Sequence, residues 1–377
     1  MSSPPDRITR DLQRDVHCLF GLPVDNLTIA QTKALLRERC TQEGNTVLAT
    51  INVNWVAQSL REPVFREAII NSDLVVLDGK PLLWLAQLLG CPMRETVSGS
   101  TLIQELLEEP SDQPLTIFLF GGEGDVAERA MLRINERKNG GLRAVGALNP
   151  GFGTVEEMST DAIIDAINTT CPDFLLVALG AKKGTQWIEY NRDRLNAKVI
   201  SHLGATINFL AGTIKRAPYI LQRVGLEWVW RIMQEPKLFS RYSSDGFRLL
   251  KVLVDRFPLW LKYQVWRRRF SKELRKVSAQ IEERRGTTIL TFGFNSQANH
   301  DSPLRELIYR AALVDKDISV DFFSTEYVDS SCAGLLLLLK NNQKRKRKNL
   351  KLINMQGRVK QILQFFGVRD ASTRVEG

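Results

Sequence analysis

An aspartate ends a short apolar run near residue 78. In the stretch VVLDGKPLL (75–83), a strand pattern stops at Asp78 and Gly79, and a helical pattern follows. In open α/β sheets, ligands bind outside the carboxyl ends of the strands, where loops and helix N-termini offer unpaired N–H groups. A carboxylate at that place can accept a proton or a hydrogen bond. Alone, an Asp-Gly pair is more often a simple turn or cap.

Polar and glycine residues follow other apolar runs in the same way. They are Thr50 and Asn52 in LATINVN, Gly121 and Gly122 in FLFGGEGD, and Gly180 to Lys183 in ALGAKKG. The carboxyl ends of parallel strands meet at one edge of a sheet, so these groups are expected to lie together. Their number favours a ligand cleft over a set of unrelated turns.

The elements that would position these residues alternate regularly. Six β-rich runs separated by amphipathic stretches are typical of buried parallel strands in βαβ units; they are TVLATINV, DLVVLDG, LTIFLFGG, LRAVGALN, DFLLVALGA and AKVISHLGA. We predict a doubly wound, mostly parallel, Rossmann-like sheet, in a domain over 1–218. A helical, basic and aromatic appendage is predicted over 219–285, and a smaller α/β domain over 286–377. A chain of 377 residues is long enough for several cores.

A dinucleotide-binding function is the first alternative. Gly122, Gly124 and Ala127 satisfy G-x-G-x-x-A between a strand and a helix. The acidic residue expected after the next strand is missing, because LRAVGALN ends at Asn149. A nucleotide-binding oxidoreductase therefore has little support, although a phosphate could bind near these glycines.

The charge indicates an anionic partner. The net charge is +10 and the pI about 9.4, values that suit nucleic acid, a membrane surface or a phosphorylated substrate. Guanidinium groups complement a diphosphate when no metal supplies the charge, and residues 204–242 carry Lys215, Arg216, Arg223, Arg231, Lys237 and Arg241. The one D-x-D pair, at Asp315 and Asp317, lies in the C-terminal domain, which favours a metal-free reaction. The alternative is a solvated basic helix.

The cysteines and the N-terminus suggest a cytoplasmic protein. Five scattered cysteines form no C-x-x-C, so neither a disulfide framework nor a zinc site is indicated. The N-terminal stretch has no apolar core of signal-peptide length, and no run approaches the ~18 apolar residues of a spanning helix.

Several motifs in order resemble one enzyme family. They are TIN (50–52), DG (78–79), SGSTL (98–102), FLFGG (118–122), NPGFG (149–153), ALGAKKGTQWI (178–188), GATINFLAGTIKRAP (204–218) and GLEWVWRIMQEPKLFSRY (225–242). Over about 20–245 the chain resembles the TagA/WecG/CpsF glycosyltransferases, glycosyltransferase family 26. The resemblance implies inverting transfer of a hexose or N-acetylhexosamine from a UDP-sugar to a polyprenyl-diphosphate-linked saccharide, in bacterial cell-surface or exopolysaccharide synthesis.

The same resemblance implies roles for residues. Asp78 would be the general base and Thr50 and Asn52 would line the pocket, while the arginines from Arg216 to Arg231 would hold the donor diphosphate. The full implied substrate-binding set adds Gly79, Ser98, Gly121, Gly122, Gly180, Lys183, Gln186, Asn208, Arg223 and Glu227. KKGT (182–185) and Asn208 depart from the family pattern, and Gln186 is the candidate replacement for a missing amide. No cofactor, metal or nucleic acid is expected.

A lipid-linked acceptor would require contact with the membrane. Trp260, Tyr263 and Trp266 follow at helical spacing beside Arg267 to Arg269, which suits a helix lying in the headgroups of an anionic leaflet. The alternative is an aromatic stripe packed against the first domain. We expect a peripheral protein on the inner face of the cell membrane.

The C-terminal residues 286–377 resemble a STAS domain, the module of anti-sigma-factor antagonists. In YVDSSCAGLLLLL, Cys332 and Ala333 replace the Gly-Leu of the D-S-S-G-L-G pattern, and Gly334 remains. Ser331 falls where antagonists are phosphorylated, or it caps the following helix. The resemblance implies a regulatory or scaffolding module with a protein partner. A second alternative is thus a non-catalytic, STAS-linked partner-binding protein.

Overall fold

The computed structural model describes residues 7–137, 139–270, 279–284, 286–293, 295–298 and 302–368. Its strands are β1 (Val16–Leu19), β2 (Leu22–Asp25), β3 (Thr46–Ile51), β4 (Leu74–Leu77), β5 (Leu115–Gly121), β6 (Leu142–Leu148), β7 (Phe174–Ala178), β8 (Val199–His202), β9 (Ala279–Arg284), β10 (Thr287–Phe292), β11 (Asn295–Ser296), β12 (Asp317–Asp321), β13 (Tyr327–Val328) and β14 (Leu350–Ile353). Its helices are α1 (Arg7–Gln13), α2 (Ile29–Cys40), α3 (Val53–Ser59), α4 (Pro63–Asn71), α5 (Lys80–Leu88), α6 (Gly99–Glu108), α7 (Val126–Asn135), α8 (Asp161–Asn168), α9 (Ala181–Asn191), α10 (Gly204–Ala211), α11 (Tyr219–Arg223), α12 (Glu227–Gln234), α13 (Leu238–Phe270), α14 (Pro303–Leu313), α15 (Ser330–Arg345) and α16 (Gly357–Phe366).

Six parallel strands form the predicted sheet, in the order β4-β3-β8-β7-β5-β6. All six predicted strands are confirmed. Helices cover both faces, so β3, β4 and β8 are buried at every residue, which explains why these strands are continuous apolar runs rather than alternating ones. One apolar core contains Leu106, Leu119 and Ile207, and the other contains Phe120 and Trp187, whose rings stack at 4.4 Å.

The chain divides into two compact units that are not consecutive segments. The larger unit comprises residues 27–83 and 94–247 and contains the parallel sheet. The smaller unit comprises the described residues of 1–26, 84–93 and 248–377. These bounds do not coincide with the predicted segments 1–218, 219–285 and 286–377, because the first 26 residues and a ten-residue segment group with the C-terminal part.

The smaller unit contains the predicted C-terminal α/β fold. Its sheet has the order β14-β12-β10-β9, in which β10, β12 and β14 run parallel and β9 pairs antiparallel with β10. Helices α14, α15 and α16 belong to the same unit. The sequence analysis was wrong at 279–284, where it predicted helix and the structure has strand β9. Residues 279–284 are largely exposed and polar, so burial does not make them a strand. Their antiparallel pairing with β10 does.

The aromatic residues of α13 contradict part of the membrane prediction. Tyr263 is 1% exposed and stacks on Tyr327 and Phe365 at 6.2 and 5.1 Å between ring centroids. The Trp260 indole N–H donates to the Leu88 carbonyl at 3.1 Å. Tyr263 therefore belongs to the core of the smaller unit, and the rings that it stacks on come from the C-terminal segment, not from the first domain as the alternative had it.

Candidate active site

A cleft of about 1280 Å³ opens at the carboxyl ends of the strands of the larger unit. Its walls come from the segments that follow β3, β4, β5, β7 and β8, together with α10, α12 and the first turns of α13. Typical small-molecule pockets measure roughly 300–1,000 Å³. The cleft therefore has room for two substrates at once.

Asp78 lies in this cleft at the end of β4. Its backbone N–H donates to the Ile51 carbonyl of β3 at 2.7 Å, and Gly79, at φ +90°, turns the chain into α5. The side chain is half-buried. The pKa of Asp78 is raised to about 7: burial is the largest cause, the negative charge of Glu227 adds to it, and the positive charge of Arg231 opposes both.

A carboxyl with this pKa suits proton transfer at neutral pH. An ordinary aspartate, with a pKa near 3.8, would be fully ionised but a weak base. General bases work best when their pKa is near the operating pH. The arrangement around Asp78 is thus that of an acid–base group.

Thr50 and Asn52 follow β3 and also line the cleft. Thr50 is buried at 5% exposure. Asn52 begins α3 and its side-chain oxygen accepts from the Trp55 N–H at 3.2 Å, which leaves the amide NH₂ as its donor group. The structure therefore brings both residues together with Asp78, as predicted from the strand ends.

The predicted glycines divide into two roles. Gly122 and Gly180 line the cleft at φ +89° and +81°. Gly121 is not a lining residue; a Cβ there would lie 2.6 Å from the Ala178 carbonyl oxygen of the neighbouring strand. Lys183 lines the cleft and donates to the Gly153 carbonyl at 2.8 Å.

The predicted arginines are not all in the cleft. Arg231 lines it, pairs with Glu235 at 3.0 Å and lies 5.8 Å from the centre of the Phe209 ring. Arg216 instead donates to the Thr101 hydroxyl at 2.8 Å, and Arg223 is exposed; neither is a lining residue. Arg241, one of the cations considered for the diphosphate, also lines the cleft, and so does Lys80, which the sequence analysis did not single out.

The remaining predicted residues have mixed positions. Asn208 and Glu227 line the cleft, and the Asn208 side-chain oxygen accepts from the Thr213 hydroxyl at 3.1 Å. Ser98 caps α6 by accepting from the Thr101 N–H at 3.2 Å, while the following Gly99 and Ser100 are lining residues. Gln186 is half-buried and not among the lining residues.

His202 is a lining residue that the sequence analysis missed. It is the last residue of β8 and 7% exposed, and its Nε2 has no hydrogen-bond partner among the described residues. Burial lowers its pKa to about 4, so the imidazole is neutral near pH 7. Its place at a strand end, in VISHLG, was the available signal.

The described residues were compared with the requirements of a metal site and of a membrane-spanning helix. Among them, no group of three or more His, Cys, Asp or Glu side chains is placed to hold a metal ion. No described helix combines the length and the apolar composition that crossing a bilayer requires. The expectation that the reaction needs no metal stays a prediction.

Comparison with known proteins now adds to the geometry. The model of the "Glycosyl transferase WecG/TagA/CpsF family" matches residues 17–262, well over half of the chain. The chain belongs to this glycosyltransferase family. The STAS-domain model "Mlab, STAS domain" matches residues 295–374. The resemblances seen in the sequence are both confirmed, as is the fold class.

Curated relatives of this glycosyltransferase are bacterial. The chain is 24% identical over 238 residues to proteins from Staphylococcus aureus strains MRSA252, MW2 and NCTC 8325, each named N-acetylglucosaminyldiphosphoundecaprenol N-acetyl-beta-D-mannosaminyltransferase. The match covers 62% of this chain and 91% of each relative. Nearly the whole relative is thus represented in the part of the chain before the STAS domain.

Proposed function

We propose that this glycosyltransferase is an inverting, metal-independent enzyme that moves a sugar from a UDP-sugar to a polyprenyl-diphosphate-linked saccharide, with Asp78 as general base. The observation that carries the proposal is the position of the Asp78 carboxyl, which lines the cleft directly after β4. Its raised pKa agrees with this role. The names of the relatives support the acceptor, since each acts on a diphosphoundecaprenol-linked sugar. The donor sugar is left open.

In the proposed reaction, Asp78 removes the proton of the attacking acceptor hydroxyl. The acceptor oxygen bonds to the anomeric carbon from the face opposite the diphosphate, and the bond from that carbon to the phosphate oxygen breaks. UDP leaves, the proton stays on Asp78, and the anomeric configuration inverts. A base placed in this way typically contributes ~10²–10⁴ in rate.

The leaving diphosphate requires positive charge. Arg231 and Arg241 supply guanidinium groups that line the cleft, and Lys80 and Lys183 supply ammonium groups. Fixed cations of this kind stabilise the charge that develops on the phosphate oxygens as the sugar leaves. The arginines proposed to hold the diphosphate are therefore Arg231 and Arg241 rather than Arg216 and Arg223.

Contact with the membrane is proposed through a different face of α13 from the one predicted. Leu250, Val254, Phe257, Leu261 and Val265 are exposed and recur every three or four residues, so they form one stripe. Exposed cations accompany the stripe at Arg248, Lys251, Lys262, Arg268 and Arg269. An apolar stripe with basic flanks suits adsorption to an anionic leaflet.

Vesicle sedimentation tests the membrane contact. Leu261→Glu is expected to release the protein from vesicles that contain anionic lipid, whereas Leu132→Glu, on an exposed leucine of the larger unit, is not. Equal binding of both variants would contradict this part of the proposal.

The activity is tested by measuring UDP release from a panel of UDP-sugars with a polyprenyl-diphosphate-linked N-acetylglucosamine acceptor. We expect one or a few donors to turn over only when acceptor is present, with Asp78→Asn inactive. A titration with NAD(H) runs in parallel. Binding of NAD(H) with no turnover of any UDP-sugar would favour the oxidoreductase alternative. A protein that binds neither NAD(H) nor any UDP-sugar would favour the partner-binding alternative.

A further inference from the structure

We propose that the STAS domain of this protein acts in cis, with the face of α15 serving as the docking surface for the protein's own segments 16–25 and 84–93. In this role Ser330 and Ser331 are structural residues, and the face is not available to a separate protein while the chain is folded. The proposal does not depend on the reaction that the enzyme catalyses.

The first observation is that the first ten residues of α15 are enclosed on all sides. Every residue from Ser330 to Leu339 is buried, and so is every residue of β1 and β2. A helix that formed only one layer of an open α/β domain would expose one face. Here that face is covered by the hairpin that β1 and β2 form as an antiparallel pair. A Cβ on Gly334 would lie 3.1 Å from Val16 Cγ2 and 3.3 Å from the Cys18 backbone nitrogen.

Polar groups connect residues 11–17 to helices α14 and α15. The His17 Nδ1 and Ser330 hydroxyl lie 2.9 Å apart, and Arg345 pairs with Asp11 at 2.8 Å. Arg305 of α14, buried at 8% exposure, donates to the Leu12 and Arg14 carbonyls at 3.1 and 2.5 Å. Buried hydrogen bonds to backbone carbonyls require a defined position of the partner, so this contact is specific rather than a loose apolar cover.

Segment 84–93 forms the third part of the interface. The Ser330 hydroxyl donates to the Gly90 carbonyl at 3.4 Å, and the Cys91 thiol donates to the Cys18 carbonyl at 3.4 Å. A Cβ on Gly90 would lie 2.9 Å from the Tyr263 ring. Residues 84–88 are the second half of α5, the helix that begins two positions after Asp78. The STAS domain therefore holds a segment that is continuous with the active site.

The hairpin needs such a partner. A two-stranded hairpin alone is marginal in water, because it has no second layer on which to bury its apolar side chains. Val16, Cys18, Leu19, Leu22 and Val24 are all at most 1% exposed. Without α15 the hairpin would lose the helix against which Val16 and Cys18 pack.

Ser331 is poorly placed for modification. It is 1% exposed, and its hydroxyl donates to the Ala298 carbonyl at 2.8 Å. The helix cap is Asp329, which accepts from the Cys332 N–H at 2.7 Å, so the capping role suggested for Ser331 is wrong. A phosphate adds about −1.5 to −2 charge and would have to be buried near this carboxylate. Phosphorylation would require the Ser331 hydroxyl to leave the Ala298 carbonyl and become exposed.

Native-state thiol labelling tests the proposal on the full-length protein, because each part of the interface carries one buried cysteine: Cys18, Cys91 and Cys332. Exposed Cys171 is the internal reference, and half-buried Cys40 reports on the larger unit. Rates with iodoacetamide are read by peptide mass spectrometry and normalised to the same cysteines in denaturant. We expect the three to react at least ~100-fold more slowly than Cys171, and at one common rate, since one opening exposes them all.

Gly334→Val is the perturbing variant, and Gly357→Val, where a Cβ meets open space, is its matched control. Overpacking at Gly334 is expected to raise the labelling of the three cysteines together by ~10- to 100-fold, with Cys40 and Cys171 unchanged. The control should leave all five rates as in the wild type.

Hydrogen exchange of the wild type gives a second measurement that needs no variant. Amides of 16–25 and 330–339 should exchange at rates within ~10-fold of each other, as one cooperative unit does. Rapid labelling of Cys18 or Cys91 with Cys332 protected would overturn the proposal. So would a hairpin that exchanges far faster than α15.

Discussion

Replacing Asp78 with asparagine separates the chemistry of the active site from its stability. Asparagine keeps the shape of the side chain but cannot take the proton of the acceptor hydroxyl. Turnover of Asp78→Asn should fall by about 10²-fold or more, with UDP binding largely intact, because a general base contributes that much to rate. UDP release gives the rate and calorimetric titration gives the affinity.

The pH profile of the wild type should report the same group. With a pKa of about 7, only about one-tenth of Asp78 is ionised at pH 6, so kcat/KM should rise about tenfold per pH unit up to neutrality and then level off. Glu227→Gln removes a charge that raises this pKa and should move the rising limb toward acid. Arg231→Gln removes a charge that lowers it and should move the limb toward alkaline pH.

Asp78→Asn should lower activity but raise stability. The folded protein holds a proton on Asp78 up to about pH 7, whereas the unfolded chain releases it near 3.8. The free energy of unfolding therefore falls as pH rises through this window. Asn carries no charge, so Asp78→Asn should be more stable than the wild type at pH 8, by up to about 4 kcal/mol, and nearly equal to it below pH 4.

Denaturant unfolding of both proteins at several pH values measures this difference. A variant that is inactive and also less stable at pH 8 would mean that Asp78 is a structural residue whose loss disturbs the cleft. Near wild-type turnover would remove Asp78 from the mechanism altogether. Either result would refute the reasoning.

Three further predictions follow from the structure. Turnover should survive EDTA, and Arg231→Ala should weaken UDP binding and slow transfer together; strict dependence on Mg²⁺ or Mn²⁺ would contradict a cationic clamp. Burial lowers the pKa of His17 and of His202 to about 4. The unfolded chain takes up these protons near pH 6.5, so the free energy of unfolding should be highest above that pH and fall as pH drops toward 4. Chemical denaturation at pH 4.5 and 7 measures this difference. Gly121→Ala should lower the denaturation midpoint, because its Cβ would meet Ala178 at φ +101°, and an unchanged midpoint would count against the strand geometry.

The sequence by itself determined the parallel sheet and the edge at which the site lies. Strands covered on both faces must be apolar throughout, so β3, β4 and β8 could be recognised one by one. Asp78, Thr50 and Asn52 follow strands whose carboxyl ends meet in any parallel sheet, and this local rule brought them together without knowledge of the packing. The helices and parallel strands of the STAS domain were predictable for similar local reasons.

Only the tertiary structure decided which basic and aromatic residues reach the site or the core. Arg216 and Arg231 belong to the same basic segment, yet Arg216 donates a hydrogen bond to Thr101 and Arg231 lines the cleft. The sequence suggests that Tyr263 lies at a membrane interface, whereas in the structure its ring stacks on Tyr327 and Phe365. The pKa of Asp78 depends on burial and on Glu227, and the docking of β1 on α15 joins opposite ends of the chain. Contacts between residues distant in sequence leave no periodic pattern in either segment, so they could be found only in the folded protein.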